Sequence, residues 1–216
     1  EIYLDQSGGS GTFTIKQDGS TNKFGAVNDR AGLTGNSKTF TSITTGTGND
    51  ILIQETGNST TTELLITGNT NEVDSNVEGD SNDTTFEITG NTNTLLVKAD
   101  VAADVANTTN NSDIDVTIEG NTNDVTFSMV DTDAAVNLWS LIGDLNVVNS
   151  YQQGQTGGVG HAQTVELFGS SNKVDIYQIG TEAHTLDLQV LGSDNNYTIT
   201  QTDGTAATYT NPSAVT

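Results

Sequence analysis

Apolar residues in this chain fall at every second position within short segments. Ile114, Val116 and Ile118 alternate with Asp113, Asp115, Thr117 and Glu119. Thr84, Phe86 and Ile88, then Val125, Phe127 and Met129, then Leu186, Leu188 and Val190 follow the same rule. A period of two is the signature of a strand with one buried face, and a helical period of 3.6 does not fit these segments. After each segment comes a glycine and a polar corner, as in Gly68-Asn69-Thr70-Asn71, Gly79-Asp80-Ser81-Asn82, Gly169-Ser170-Ser171-Asn172 and Gly192-Ser193-Asp194-Asn195. Glycine tolerates positive φ, and Asn and Asp bond back to their own backbone, so each unit predicts a strand followed by a tight turn.

The units recur. Ile66-Thr67-Gly68-Asn69-Thr70-Asn71 returns letter for letter as Ile88 to Asn93, with the paler copy Val77 to Asn82 midway between them. Turn glycines mark the interval along nearly the whole chain: Gly8, Gly19, Gly35, Gly46, Gly57, Gly68, Gly79, Gly90, Gly120, Gly143, Gly169, Gly180, Gly192 and Gly204, with Asp131 in the slot after Gly120. Such a repeat is one supersecondary unit stacked on itself. In the C-terminal half Gln152, Gln178 and Gln201 close every other unit, while Leu141, Leu167 and Val190 close those between. A rule that skips one unit requires two sheets. The expected fold is therefore an all-β, two-sheet parallel β-solenoid forming a single repeat domain over residues 1–216. Each rung takes about 22 residues in two 11-residue units, and eight to nine rungs make a rod roughly 40 Å long. Corner insertions are expected near 94–112 and 151–162.

The expected interior is partly polar. Gln6, Gln17, Gln54, Gln152, Gln178 and Gln201 are assigned an inward phase, and Asn71, Asn82, Asn93, Asn123 and Asn172 recur in register at corners. Buried amides are costly alone but satisfy one another when stacked along an axis.

Composition narrows the function. Only 32% of the 216 residues are hydrophobic, which would suit disorder were the apolar positions not periodic. The formal charge of -22 repels nucleic-acid phosphates and anionic lipid, so no nucleic-acid partner is expected. Cysteine is absent, which removes disulfides and thiolate metal sites. No apolar run is long enough for a membrane-spanning helix, and no leader is visible ahead of the strand pattern at Glu1-Ile2-Tyr3-Leu4.

No motif points to catalysis. His161 and His184 have no metal-ligand spacing around them and read as solvated corner residues. Acidic pairs such as Asp113 and Asp115, Asp131 and Asp133, or Glu72 and Asp74 arise by chance among 28 carboxylates. Structural calcium could relieve repulsion between stacked acids, but the Gly-Gly-x-Gly-x-Asp repeat is missing. Outward Thr85 beside Glu87 spoils an ice-binding face. Trp139 with Phe168 and Tyr151 could form a sugar-stacking patch, but Trp139 shares the phase of Leu141 and reads as core.

Ile15-Lys16-Gln17-Asp18-Gly19-Ser20-Thr21-Asn22 resembles the curlin repeat, and Leu4-Asp5-Gln6-Ser7-Gly8 and Ile176-Tyr177-Gln178-Ile179-Gly180 carry its Gln-x-Gly core. The chain is also similar to curlin-like virion structural proteins of marine tailed phages, which carry corners like Gly79-Asp80-Ser81-Asn82. The resemblance implies a β-solenoid subunit of an extracellular fibre or virion appendage. Phe86, Ile88, Ile118 and Phe127 replace the regular polar ladder of curlins in the middle third, and the insertions are a further departure. Both favour the phage-type reading, or another surface fibre, over a curli subunit proper.

The expected role is structural and not enzymatic, by end-to-end stacking with copies of itself or with other virion or fibre proteins, outside cells or on the virion. The alternative is an adhesin that binds host-surface glycans through the corner insertions.

Overall fold

The computed structural model describes residues 2, 4–25, 31–79, 81–99, 113–132, 136–154, 162–179, 184–202 and 208–210. Alternation is realised as two parallel sheets. The first contains β1 (Asp5–Ser7), β3 (Thr21–Phe24), β4 (Ala31–Thr34), β6 (Gly48–Thr56), β8 (Thr70–Glu78), β10 (Thr92–Ala99), β12 (Thr122–Thr132), β14 (Leu145–Gly154), β16 (Ser171–Ile179) and β18 (Asn196–Thr202). The second contains β2 (Gly11–Asp18), β5 (Lys38–Thr45), β7 (Thr61–Thr67), β9 (Asp83–Thr89), β11 (Asp113–Glu119), β13 (Val136–Ile142), β15 (Ala162–Phe168), β17 (Thr185–Leu191) and β19 (Thr208–Thr210). Consecutive strands lie in opposite sheets, apart from β3 and β4, which pair with successive parts of β6 and so share one level. This is a β-solenoid, and every rung contributes one strand level to each sheet.

Register keeps like over like. Val73, Leu95, Val125, Val148 and Val174 form one inward column of the first sheet. Leu64, Phe86, Val116, Trp139, Val165 and Leu188 form one of the second. A slip of one residue would turn every such side chain to solvent, so the thin core fixes the pairing. Trp139 is fully buried, meets Phe127 edge-on at 4.8 Å, and donates its Nε1–H to the Ile114 carbonyl at 3.2 Å. It is core, and the sugar-stacking patch does not form, because Phe168 and Tyr151 point outward. Trp139→Phe should lose about 1–2 kcal/mol, from the hydrogen bond and the missing ring volume. Urea titration followed by circular dichroism checks this.

Three expectations need correction. Asp131 is no turn residue: β12 runs on to Thr132, with a register irregularity between Val130 and Thr132. The first insertion begins later than residue 94, since Thr94–Ala99 continue β10. The second begins later than 151, since Tyr151–Gly154 belong to β14. The remaining stretches, 100–112 and 155–161, lie outside the described residues, as do Gly180, Gly204 and His161.

Candidate functional site

The turn leading from the second sheet to the first carries an amide ladder along the rod. Asn22 Nδ2 donates to Asn49 Oδ1 at 3.1 Å, Asn49 to Asn71 at 2.7 Å, and Asn71 to Asn93 at 2.8 Å. Asn93 then donates to Asn123 at 2.9 Å, Asn123 to Asn146 at 2.7 Å, Asn146 to Asn172 at 2.8 Å, and Asn172 to Asn195 at 2.8 Å. The separations in sequence run 27, 22, 22, 30, 23, 26 and 23 residues, so insertions change the spacing and leave the ladder unbroken. The second amide hydrogen returns to backbone, as in Asn146 Nδ2 to the Gly143 carbonyl at 3.0 Å. Buried amides paired on both sides avoid the desolvation cost of a lone one.

Asn71, Asn93, Asn123 and Asn172 stand where expected. Asn22, Asn49, Asn146 and Asn195 were missed, although each lies three residues past a turn glycine. Asn82 has the same spacing from Gly79 but is not on the ladder. It sits in the opposite turn, where its Oδ1 accepts the Thr60 backbone N–H at 3.0 Å.

A shorter glutamine ladder occupies one column of the first sheet. Gln178 Nε2 donates to Gln152 Oε1 at 2.8 Å, and Gln201 Nε2 to Gln178 Oε1 at 2.6 Å. Toward the N-terminus the same column holds Met129, Ala99, Val77, Glu55, Leu33 and Gln6. Gln6 takes its expected place in register, although its side chain lies outside the described set. Gln17 is buried but belongs to the second sheet, and bonds the Lys23 carbonyl at 3.1 Å. Gln54 does not point inward: it lies on the outer face and donates to Glu78 at 3.3 Å.

The inward slot beside Gln54 belongs to Glu55, which is fully buried. Burial pushes its carboxyl up to about 7, against the Thr62 and Thr60 hydroxyls, and the Asp83 charge adds to the rise. Thr60 Oγ1 lies 3.1 Å from Glu55 Oε2. Glu55 Oε1 and Thr62 Oγ1 each lack a partner at hydrogen-bonding distance, so the pull of Thr62 acts over a longer gap.

Most turn glycines are required by contact between rungs, not by positive φ. A Cβ at Gly68 would be driven into the Gly46 carbonyl oxygen, one at Gly90 into that of Gly68, one at Gly120 into that of Gly90, and so on through Gly143 and Gly169. At the opposite turn both arguments hold: Gly79 has φ 117°, and its Cβ would also run into the Gly57 carbonyl oxygen. The bare glycine spine leaves an open groove of about 640 Å³ alongside Thr45, Thr67 and Thr89.

Among the described residues the remaining sites of shifted titration stand apart from one another. Asp115 is raised by desolvation, accepts the Leu138 backbone N–H at 3.2 Å, and stands on the outer face of β11. Lys173 pairs with Asp175 at 2.8 Å. His184 is buried, contrary to the solvated position expected, and desolvation lowers its basicity. Among the described residues no group of three or more His, Asp or Glu side chains is placed to hold a metal, and no helix is long and apolar enough to cross a membrane.

Comparison with protein-family models, with curated proteins and with solved structures found no match.

Proposed function

We propose that this chain is a structural subunit of an extracellular fibre or virion appendage, built by end-to-end stacking of its solenoid. The observation that carries the reading is the state of the end strands: among the described residues β1 and β2 at one end, and β18 at the other, are hydrogen-bonded on one side only. Unpaired strand edges are templates for further pairing, and a head-to-tail contact of this kind propagates without closing. The two ends also match. The column that begins with Ile2 ends with Tyr197, and the column of Gln6 ends with Gln201. Ile2, Leu4 and Ile199 pack only partly against the core, and Tyr197 is 44% exposed. A second copy placed with its Ile2 over Tyr197 would cover all four. The charge of -22 would hold neighbouring filaments apart. Electron microscopy of concentrated protein should show unbranched filaments, and Ile199→Lys should abolish them without changing the circular dichroism. Monodisperse particles at every concentration would overturn the reading.

One observation favours glycan binding as a second reading. Residues 100–112 and 155–161 each connect a strand of the first sheet to the next strand of the second, β10 to β11 and β14 to β15, so both depart from one edge of the rod. Binding on a glycan array that is lost on replacing both stretches by short turns would support it.

A further inference from the structure

At the corner between β6 and β7 a single hydroxyl, that of Thr60, stands between two acceptors. Thr60 Oγ1 lies 3.1 Å from Glu55 Oε2 and 2.9 Å from Asn82 Oδ1. The Asn82 amide is oriented by its own bonds: Oδ1 accepts the Thr60 N–H at 3.0 Å and Nδ2 donates to the Glu78 carbonyl at 3.4 Å. Thr60 therefore faces two oxygens with one hydroxyl hydrogen. The count closes if Glu55 carries a proton. Its O–H then donates to Thr60 Oγ1, and the Thr60 O–H donates to Asn82 Oδ1, 22 residues further along the chain.

We propose that Glu55 is a proton switch built into the rod, and that its ionisation turns the Thr60 hydroxyl away from Asn82, removing one bond between successive rungs. The proton leaves to water, the carboxylate takes the Thr60 O–H, and Asn82 Oδ1 loses that hydroxyl while keeping the Thr60 backbone N–H. The switch belongs to the single rod and does not require the fibre reading. Its surroundings suit a neutral acid: Leu33 and Val77 stand above and below it in the column. Among the described residues, charge at this corner also comes from Asp83, which opposes ionisation, and from Lys38, which heads β5 with its ammonium 5.7 Å from the Phe13 ring centroid.

The sign follows from linkage. The folded-state value of about 7 lies above the ordinary glutamate value of 4.5, so the folded chain binds the proton more tightly. Stability from this group is complete below 4.5, falls as pH rises toward 7, and is flat beyond. Glu55→Gln supplies a permanent donor. The ratio of its folding constant to that of the wild-type chain should grow by about 300-fold across that interval. Carboxyl 13C NMR of glutamate-labelled protein should show one resonance titrating near neutrality that is absent in Glu55→Gln. Amide exchange at Thr60 should quicken as that resonance titrates. Thr60→Val should move the midpoint upward, because the ionised form loses the donor 3.1 Å from its Oε2. If no glutamate titrates above pH 6, or if the folding constants of the two proteins keep a fixed ratio, the proposal falls.

Discussion

Gly120→Ala should unfold the rod locally and cost about 3 kcal/mol or more, the upper part of the range for overpacked sites. The new methyl would meet the Gly90 carbonyl oxygen, which is backbone and cannot swing aside. The Gly120 amide in turn donates to the Ile142 carbonyl at 2.9 Å, so separating the rungs would strain pairing on both sides. Gly48→Ala is the control. Its Cβ would meet nothing nearer than the Thr70 carbonyl oxygen at 4.0 Å, and the same substitution there should change stability by less than about 0.5 kcal/mol. Urea denaturation measures both. Equal costs at the two sites would mean that the glycine spine is not set by contact between rungs.

Asn123→Asp should cost about 3 kcal/mol while keeping the shape of the side chain. The carboxylate could still accept from Asn93 Nδ2, but it has nothing to donate to Asn146 Oδ1 or to the Ile142 carbonyl. Asn123→Ala should cost about 2 kcal/mol, because it leaves one buried donor and one buried acceptor short of a partner without adding charge. The order of the two matters more than either value. Hydrogen exchange should show the loss concentrated at β10, β12 and β14, since a repeat array transmits a defect mainly to its neighbours. A penalty spread evenly over the rod would contradict that.

The architecture was legible because burial imposes a period of two and each turn imposes a glycine, and both survive insertion. The glutamine rule of the C-terminal half was readable for the same reason: Gln152 and Gln178 each stand two residues before a glycine, which fixes their phase. Gln54 was misjudged because a three-residue offset does not fix the phase: Gln201 has it before Gly204 and lies on the ladder, whereas Gln54 has it before Gly57 and faces out. Glu55 has the two-residue offset, and an acid in a core column contradicts expectation from charge alone. Asn82 was misjudged because it repeats the Gly-x-x-Asn spacing of the ladder in the opposite turn, where the same slot after Gly35 and Gly57 holds Lys38 and Thr60. His184 was read as solvated because nothing in its neighbouring residues shows that the turn is covered.

The two amide ladders run in opposite senses. Each asparagine hands its hydrogen toward the C-terminal end of the rod, and each glutamine hands its hydrogen toward the N-terminal end. At the C-terminal face Asn195 therefore has an N–H to offer and Gln201 an oxygen, whereas Asn22 turns an oxygen to the other face. The rod carries an arrow. A group docking at the asparagine turn therefore meets a hydrogen at one tip and an oxygen at the other.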